Sequence, residues 1–179
     1  DLSEISAYKK LFSQILISLI LIIYGGLRIE SFHGVLGLYE LPYFVSILFT
    51  VFVFVVITNG YNLIDGIDGL ASGLGIIGAT LFGFCAISMN QYNMAILAFS
   101  LTGALVGFIK FNYHPAKIFM GDTGSLLIGL VFSILAVNII QHGIVEFNNV
   151  DGKNLGPFLA ISFLALPLFD SLRVFLVRV

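Results

Sequence analysis

The chain has 179 residues, 59% of them hydrophobic and 10% charged, with a formal net charge of −2 and a mean hydropathy of +1.06. A soluble domain carries about 25% charged residues, so soluble globular, disordered and collagen-like classes are excluded, and near-neutrality argues against nucleic acid as a main partner. One cysteine, Cys85, excludes an internal disulfide and any cysteine metal site.

A bilayer crossing takes about 20 residues, range roughly 17–25. The first span is predicted over 9–27, around the uncharged run Leu11–Leu27, and the second over 42–60, inside the run Leu41–Ile64. The 41-residue run Gly69–Ile109 is too long for one crossing. Its polar stretch Asn90-Gln91-Tyr92-Asn93 predicts two helices, 70–89 and 93–111, joined by a tight turn. The fifth span is 123–142; the sixth, 155–173, rests on the shortest run, Asn154–Phe169. The expected fold is all-α, a single polytopic transmembrane bundle of about six spanning helices, because unpaired backbone cannot sit in lipid.

Six crossings put both ends on one side. That side collects Lys9, Lys10, Lys110, Lys117, Arg173 and Arg178; the other holds Arg28 and Lys153. The excess of positive charge places the termini and the loops 60–69 and 112–122 in the cytoplasm. The outward loops are then 28–41, 89–93 and 146–155. Asp1, Glu4, Asp65, Asp68, Asp122 and Asp170 share the inward side with the six bases, which no simple polybasic anchor does.

Two inward segments carry chemistry. In the first, Asn59, Asn62, Asp65 and Asp68 recur every three residues, with glycine after each aspartate. On helical or 3₁₀ geometry residues three apart are neighbours, so two amides and two carboxylates would line one face. Carboxylates about 6 Å apart repel by roughly 3 kcal/mol at an effective dielectric of 20, which calls for a Lys, a proton or a metal such as Mg²⁺. The plain structural reading is a solvated Asp-Gly turn between helices. In the second, Asp122, Thr123 and Ser125 open the fifth span, with Lys117 five residues before Asp122. Such residues cap a helix whose free N–H groups attract anions, and with Lys117 they suit a metal-bound diphosphate. Ordinary capping plus an inward positive charge explains the same residues. Phe119 is either lipid-facing or a flat face for a base. His114, alone beside Pro115, reads as structural; His33 and His142 face outward. Cys85 reads as packing, and Asp170 with Arg173 as a local ion pair.

The segment N-x-x-N-x-I-D-G-I-D-G-L-A-S-G at 59–73, followed by N-x-H-P-A-K-I-F-M-G-D-T-G-S at 112–125, resembles the bacterial polyprenyl-phosphate N-acetylhexosamine-1-phosphate transferases of glycosyltransferase family 4. Asp1, Ile5-Ser6, Lys9–Leu11, Gln14 and Pro167-Leu168-x-Asp170 extend the resemblance over the whole chain. It implies a multi-pass enzyme of the bacterial inner membrane with cytoplasmic catalytic loops. Such an enzyme passes sugar-1-phosphate from a UDP-N-acetylhexosamine to undecaprenyl phosphate and releases UMP, with Mg²⁺ (or Mn²⁺) as cofactor. Carried over by motif, Asp122 is a magnesium ligand, and Asp65 and Asp68 lie in the same acidic cleft. Asn112 and Phe119 face the uridine, Asn62 supports that pocket, and Asp1 matches the second of two vicinal aspartates. The family has a further Asp before that position, preceding helices, and a His-rich loop beyond the position of Val179. These 179 residues are thus expected to be part of a longer protein and inactive alone. UDP-N-acetylglucosamine is the first donor choice; the peptidoglycan phospho-MurNAc-pentapeptide translocase is the alternative. Membrane lipid and a second copy of the chain are further candidate partners. A transporter would instead need ionisable residues near mid-membrane, whereas these acids sit at span ends.

Overall fold

The computed structural model describes residues 6–32, 34, 37, 39–142 and 155–178. They form six helices: α1 (Ala7–Gly25), α2 (Tyr43–Ile64), α3 (Leu70–Ser88), α4 (Tyr92–Asn112), α5 (Gly121–His142) and α6 (Gly156–Arg178). The first five are long and apolar enough to cross a membrane; in α6 the apolar stretch is Gly156–Ala165. Relative to the spans counted from charges, α2 runs on to Ile64, so Gly60 to Ile64 are helix and the loop shrinks to residues 65–69. Asn59 and Asn62 therefore share a helical face, but the chain leaves the helix at Asp65. The three-residue ladder does not continue to the aspartates.

α5 is the central helix, with small residues that let its neighbours approach. A Cβ on Gly129 would lie 2.7 Å from the Thr58 Cα and 3.0 Å from its carbonyl, so α2 and α5 cross nearly backbone to backbone. Small residues serve this purpose in lipid, where packing rather than hydrophobic exclusion joins helices. Ser133 sits at the same crossing, its hydroxyl donating to the Gly129 carbonyl at 2.8 Å. Toward α3 and α6 the core is aromatic: Phe82 packs on Phe132 and edge-on against Phe163, and Phe132 packs on Tyr61. The Tyr61 hydroxyl is not orphaned; it donates to the Ala71 carbonyl.

α1 stops at Gly26, whose φ of +65° is the left-handed conformation that favours glycine and whose N–H returns to the Leu21 carbonyl. The chain then tucks Ile29 between helices, its N–H donating to Thr50 Oγ1 at 3.0 Å and its carbonyl accepting from Ser46. Beyond it, Glu30 and Leu41 pair across a short hairpin, while Arg28 bonds Glu30 and lies 4.8 Å above the Tyr43 ring. Between α2, α5 and α6 runs a groove of about 310 Å³ lined by apolar side chains alone, among them Phe52, Val56, Ala136, Ala160 and Leu164. At the end opposite the hairpin, the start of α1, the α2–α3 turn and the α4–α5 loop come together.

Candidate active site

The α2–α3 turn is held by the end of α4. Gly69 takes φ +74° at the start of α3, and its N–H donates to Asn112 Oδ1 at 3.1 Å. Ser72 donates to the same oxygen at 2.6 Å, while Asn112 Nδ2 donates to the Ile118 carbonyl at 3.0 Å. Asn112 is only 3% exposed. Its amide ties α3, α4 and the following loop together, with its oxygen and its nitrogen both bonded inside the protein.

Asp68 makes a second clip. Its Oδ2 accepts from the Ala116 N–H at 3.1 Å and meets His114 Nδ1 at 3.1 Å, across the cis His114–Pro115 peptide. These two bonds, the backbone one first, hold the Asp68 carboxyl below the usual carboxylate range. His114, read from sequence as structural, here partners a site residue. The clipped loop presents Lys117 and Phe119 outward, Phe119 with 72% of its surface exposed.

Asp65 turns the other way. Its Oδ2 accepts the N–H of Gly121, the first residue of α5, at 3.0 Å. One of the orphan donors of that helix start is thus satisfied from another element, and a carboxylate sits at the positive end of the α5 dipole. Burial pushes the Asp65 carboxyl above its usual range, with the Gly121 bond opposing and repulsion from Asp122 adding. One residue on, Asp122 pairs with Lys10 of α1, the ammonium 26% and the carboxylate 39% exposed. Ser125, one turn deeper, donates to Asn62 Oδ1, and Asn62 also neighbours the Asp122 carboxylate.

Asp65, Asp122 and Asn62 therefore meet at one end of the bundle, with Asp68 and Asn112 adjoining through the turn and loop. Asp65 and Asp68 diverge from each other, and the carboxylate that Asp65 feels is Asp122. Lys117 does not meet Asp122; it makes no ion pair among the described residues, and the cation at Asp122 is Lys10. Asp1 lies outside the described residues, and the expected Asp170–Arg173 pair falls on side chains outside the description. From sequence, Lys10 is one of the inward bases and part of the stretch that carries the resemblance, with no role at the site. Its spacing from Gln14, i to i+4 on an apolar helix, was the available signal.

No three His, Cys or carboxylate side chains among the described residues gather into a cage for a metal. Mg²⁺ does not require one: it is held by one or two carboxylates, with phosphate oxygens and water completing an octahedron. Asp65 and Asp122 supply two such carboxylates, with the Asn62 amide N–H turned toward Asp122, so the residues present fit the ion.

The opposite shifts give a titration order. Asp68 has a depressed folded pKa, so its stabilising bonds are present above the ordinary carboxylate range and are lost only as pH falls through its lowered value. Asp65 has a raised folded pKa, so its ionised form costs stability, and protonation relieves that cost as pH falls through the raised value. On acidification Asp65 takes its proton before Asp68. Infrared titration of the carboxyl band checks this: Asp65→Asn removes the step at higher pH and Asp68→Asn the step at lower pH.

The family model for glycosyl transferase family 4 matches residues 1–140. The chain is 36% identical over 173 residues to a Bacillus subtilis protein named as a probable undecaprenyl-phosphate N-acetylglucosaminyl 1-phosphate transferase, covering 96% of this chain and 46% of that one. It is 49% identical over 96 residues to the phospho-N-acetylmuramoyl-pentapeptide-transferase of Listeria innocua, covering 54% of this chain and 29% of the relative. The like-named Clostridium acetobutylicum protein is 37% identical over 136 residues, 74% of this chain and 43% of the relative. The chain spans less than half the length of each of these curated relatives.

Proposed function

The chain belongs to glycosyl transferase family 4, and from that premise we propose that the whole protein transfers N-acetylglucosamine-1-phosphate from its UDP-sugar to undecaprenyl phosphate. An oxygen of the lipid phosphate attacks the phosphorus next to the sugar, the bond from that phosphorus to the bridging oxygen breaks, and UMP leaves with that oxygen. The reaction belongs at the cytoplasmic face of the bacterial inner membrane, where a soluble nucleotide and a lipid phosphate can meet. One observation carries the reading: Lys10, Asn62, Asp65 and Asp122, from three separate stretches, converge at a single helix mouth. Anions must come together in this reaction, so most of the rate enhancement is neutralisation and positioning.

Each residue then has a task. Asp122 and Asp65 hold Mg²⁺, which when bound supplies positive charge to the diphosphate oxygens. Lys10 brings a second positive charge to the place where the phosphates meet. Phe119, exposed on its clipped loop, offers a flat face to the uracil, and Lys117 beside it draws in the nucleotide phosphates. Asp68 and Asn112 keep that loop against the acidic turn. A carboxylate cluster at a helix mouth also avoids the penalty of charge at the bilayer centre.

The relative named for N-acetylglucosamine transfer matches along nearly the whole chain, which favours that donor. The high identity over 96 residues to the Listeria protein favours the second reading, a UDP-muramoyl-pentapeptide donor. The test is UMP release and lipid-product formation by the full-length protein with undecaprenyl phosphate and either donor. Turnover is expected with UDP-N-acetylglucosamine, is lost on chelation and returns with Mg²⁺. Turnover with the muramoyl donor alone selects the second reading, and none with either donor refutes both.

A further inference from the structure

Two amides face each other between α1 and α2. Asn59 Nδ2 donates to Gln14 Oε1 at 2.8 Å, Gln14 Nε2 donates to Asn59 Oδ1 at 3.2 Å, and Asn59 Nδ2 also reaches the Val55 carbonyl at 2.9 Å. Gln14 lies one turn into the membrane from Lys10 on the same face of α1, and Asn59 lies three residues before Asn62 on α2. Among the described residues α1 packs on α2 and on no other helix as a body, and its buried residues are Ser18 and Ile22. Yet Lys10, at its inner end, meets Asp122 on α5.

Apolar packing fixes the register of such a helix poorly, because lipid tails are as apolar as the side chains they replace. A reciprocal amide pair fixes it well. Sliding α1 by one residue shifts it about 1.5 Å and turns it by about 100°, which breaks both bonds together and carries Lys10 away from α5. Three polar contacts, one for each pair of helices, close a triangle: Gln14–Asn59 joins α1 to α2, Asn62–Ser125 joins α2 to α5, and Lys10–Asp122 joins α1 to α5. Resting on the site reading above, we propose that Gln14 and Asn59 are a positioning pair that sets α1 so that Lys10 is delivered to Asp122 and to the phosphates gathered there.

The test is a double-mutant cycle on the full-length protein with the UDP-sugar and undecaprenyl phosphate. Gln14→Leu in the parent lowers kcat by about tenfold or more, since a misplacement of about 1 Å can cost as much as 10²-fold. In a Lys10→Ala background the same substitution costs less than about twofold, because the group it positions is gone. Equal losses in both backgrounds overturn the inference, since a merely structural residue costs the same in each; so does no loss in the parent. If Gln14→Leu does not fold, the exchanged pair Gln14→Asn with Asn59→Gln carries the test. Activity within about threefold of the parent supports the pair, and a loss of about tenfold or more at the parental unfolding midpoint overturns it. Parental kcat in Lys10→Ala, with Gln14 untouched, refutes the site reading instead, so the two failures are told apart.

Discussion

Asp122→Asn in the full-length protein lowers kcat for sugar-phosphate transfer by about 10²- to 10³-fold, the range seen when one preorganised electrostatic group is removed from a transition state. The amide keeps the shape of the side chain but cannot neutralise a cation, so both the metal and Lys10 lose their anionic partner. Folding is barely touched. The ion pair is partly solvated on both sides, and exposed pairs contribute about 0–1 kcal/mol. Steady-state transfer assays with a parallel thermal melt in detergent check both halves. Parental kcat in the variant would remove Asp122 from the chemistry, and a collapsed melting midpoint would mean that the pair is structural.

Gly129→Ala is the complementary case, large in stability and remote from the chemistry. Its Cβ would overlap the Thr58 Cα at 2.7 Å and crowd the Tyr61 Cβ at 3.2 Å. The first obstacle is backbone, so relief requires α2 and α5 to move apart rather than a side chain to swing. Overpacking of this kind costs about 1–3 kcal/mol, and Val at the position costs more. Gly103→Ala is the control: a Cβ there meets nothing within 4 Å and gains helix propensity. A midpoint that falls for Gly129→Ala and holds for Gly103→Ala is the expected result. Equal midpoints would show that the α2–α5 crossing yields without cost.

The fold was legible because lipid imposes length and hydropathy on a chain so strongly that counting between charges finds the helices. What counting missed were the points where helices and charges stop coinciding. Gly60 to Ile64 are polar enough in part to read as loop, yet α2 continues through them because Asn59 pairs its amide with Gln14 and Asn62 accepts from Ser125. The acidic turn was legible as a cluster from Asp65, Asp68 and Asp122. Its internal wiring was not, because whether Asp65 looks toward Asp68 or toward Gly121 depends on how α5 docks. Lys117 is the cation nearest to Asp122 in the sequence, five residues before it. The actual partner stands 112 residues away, a pairing that only tertiary packing creates.

The bond from Asp65 to the first N–H of α5 gives this aspartate a duty in the fold beside its place at the cation site. Any allele that removes the Asp65 side-chain oxygens leaves the first N–H of the most central helix without its acceptor while it also weakens the cation site. Lost stability of a kcal/mol or two shows up in cells as fewer molecules, because quality control removes what unfolds. Among loss-of-function alleles, those that delete the Asp65 oxygens should therefore combine low membrane abundance with low turnover per molecule. Those at Asp122 should accumulate normally and simply fail to work.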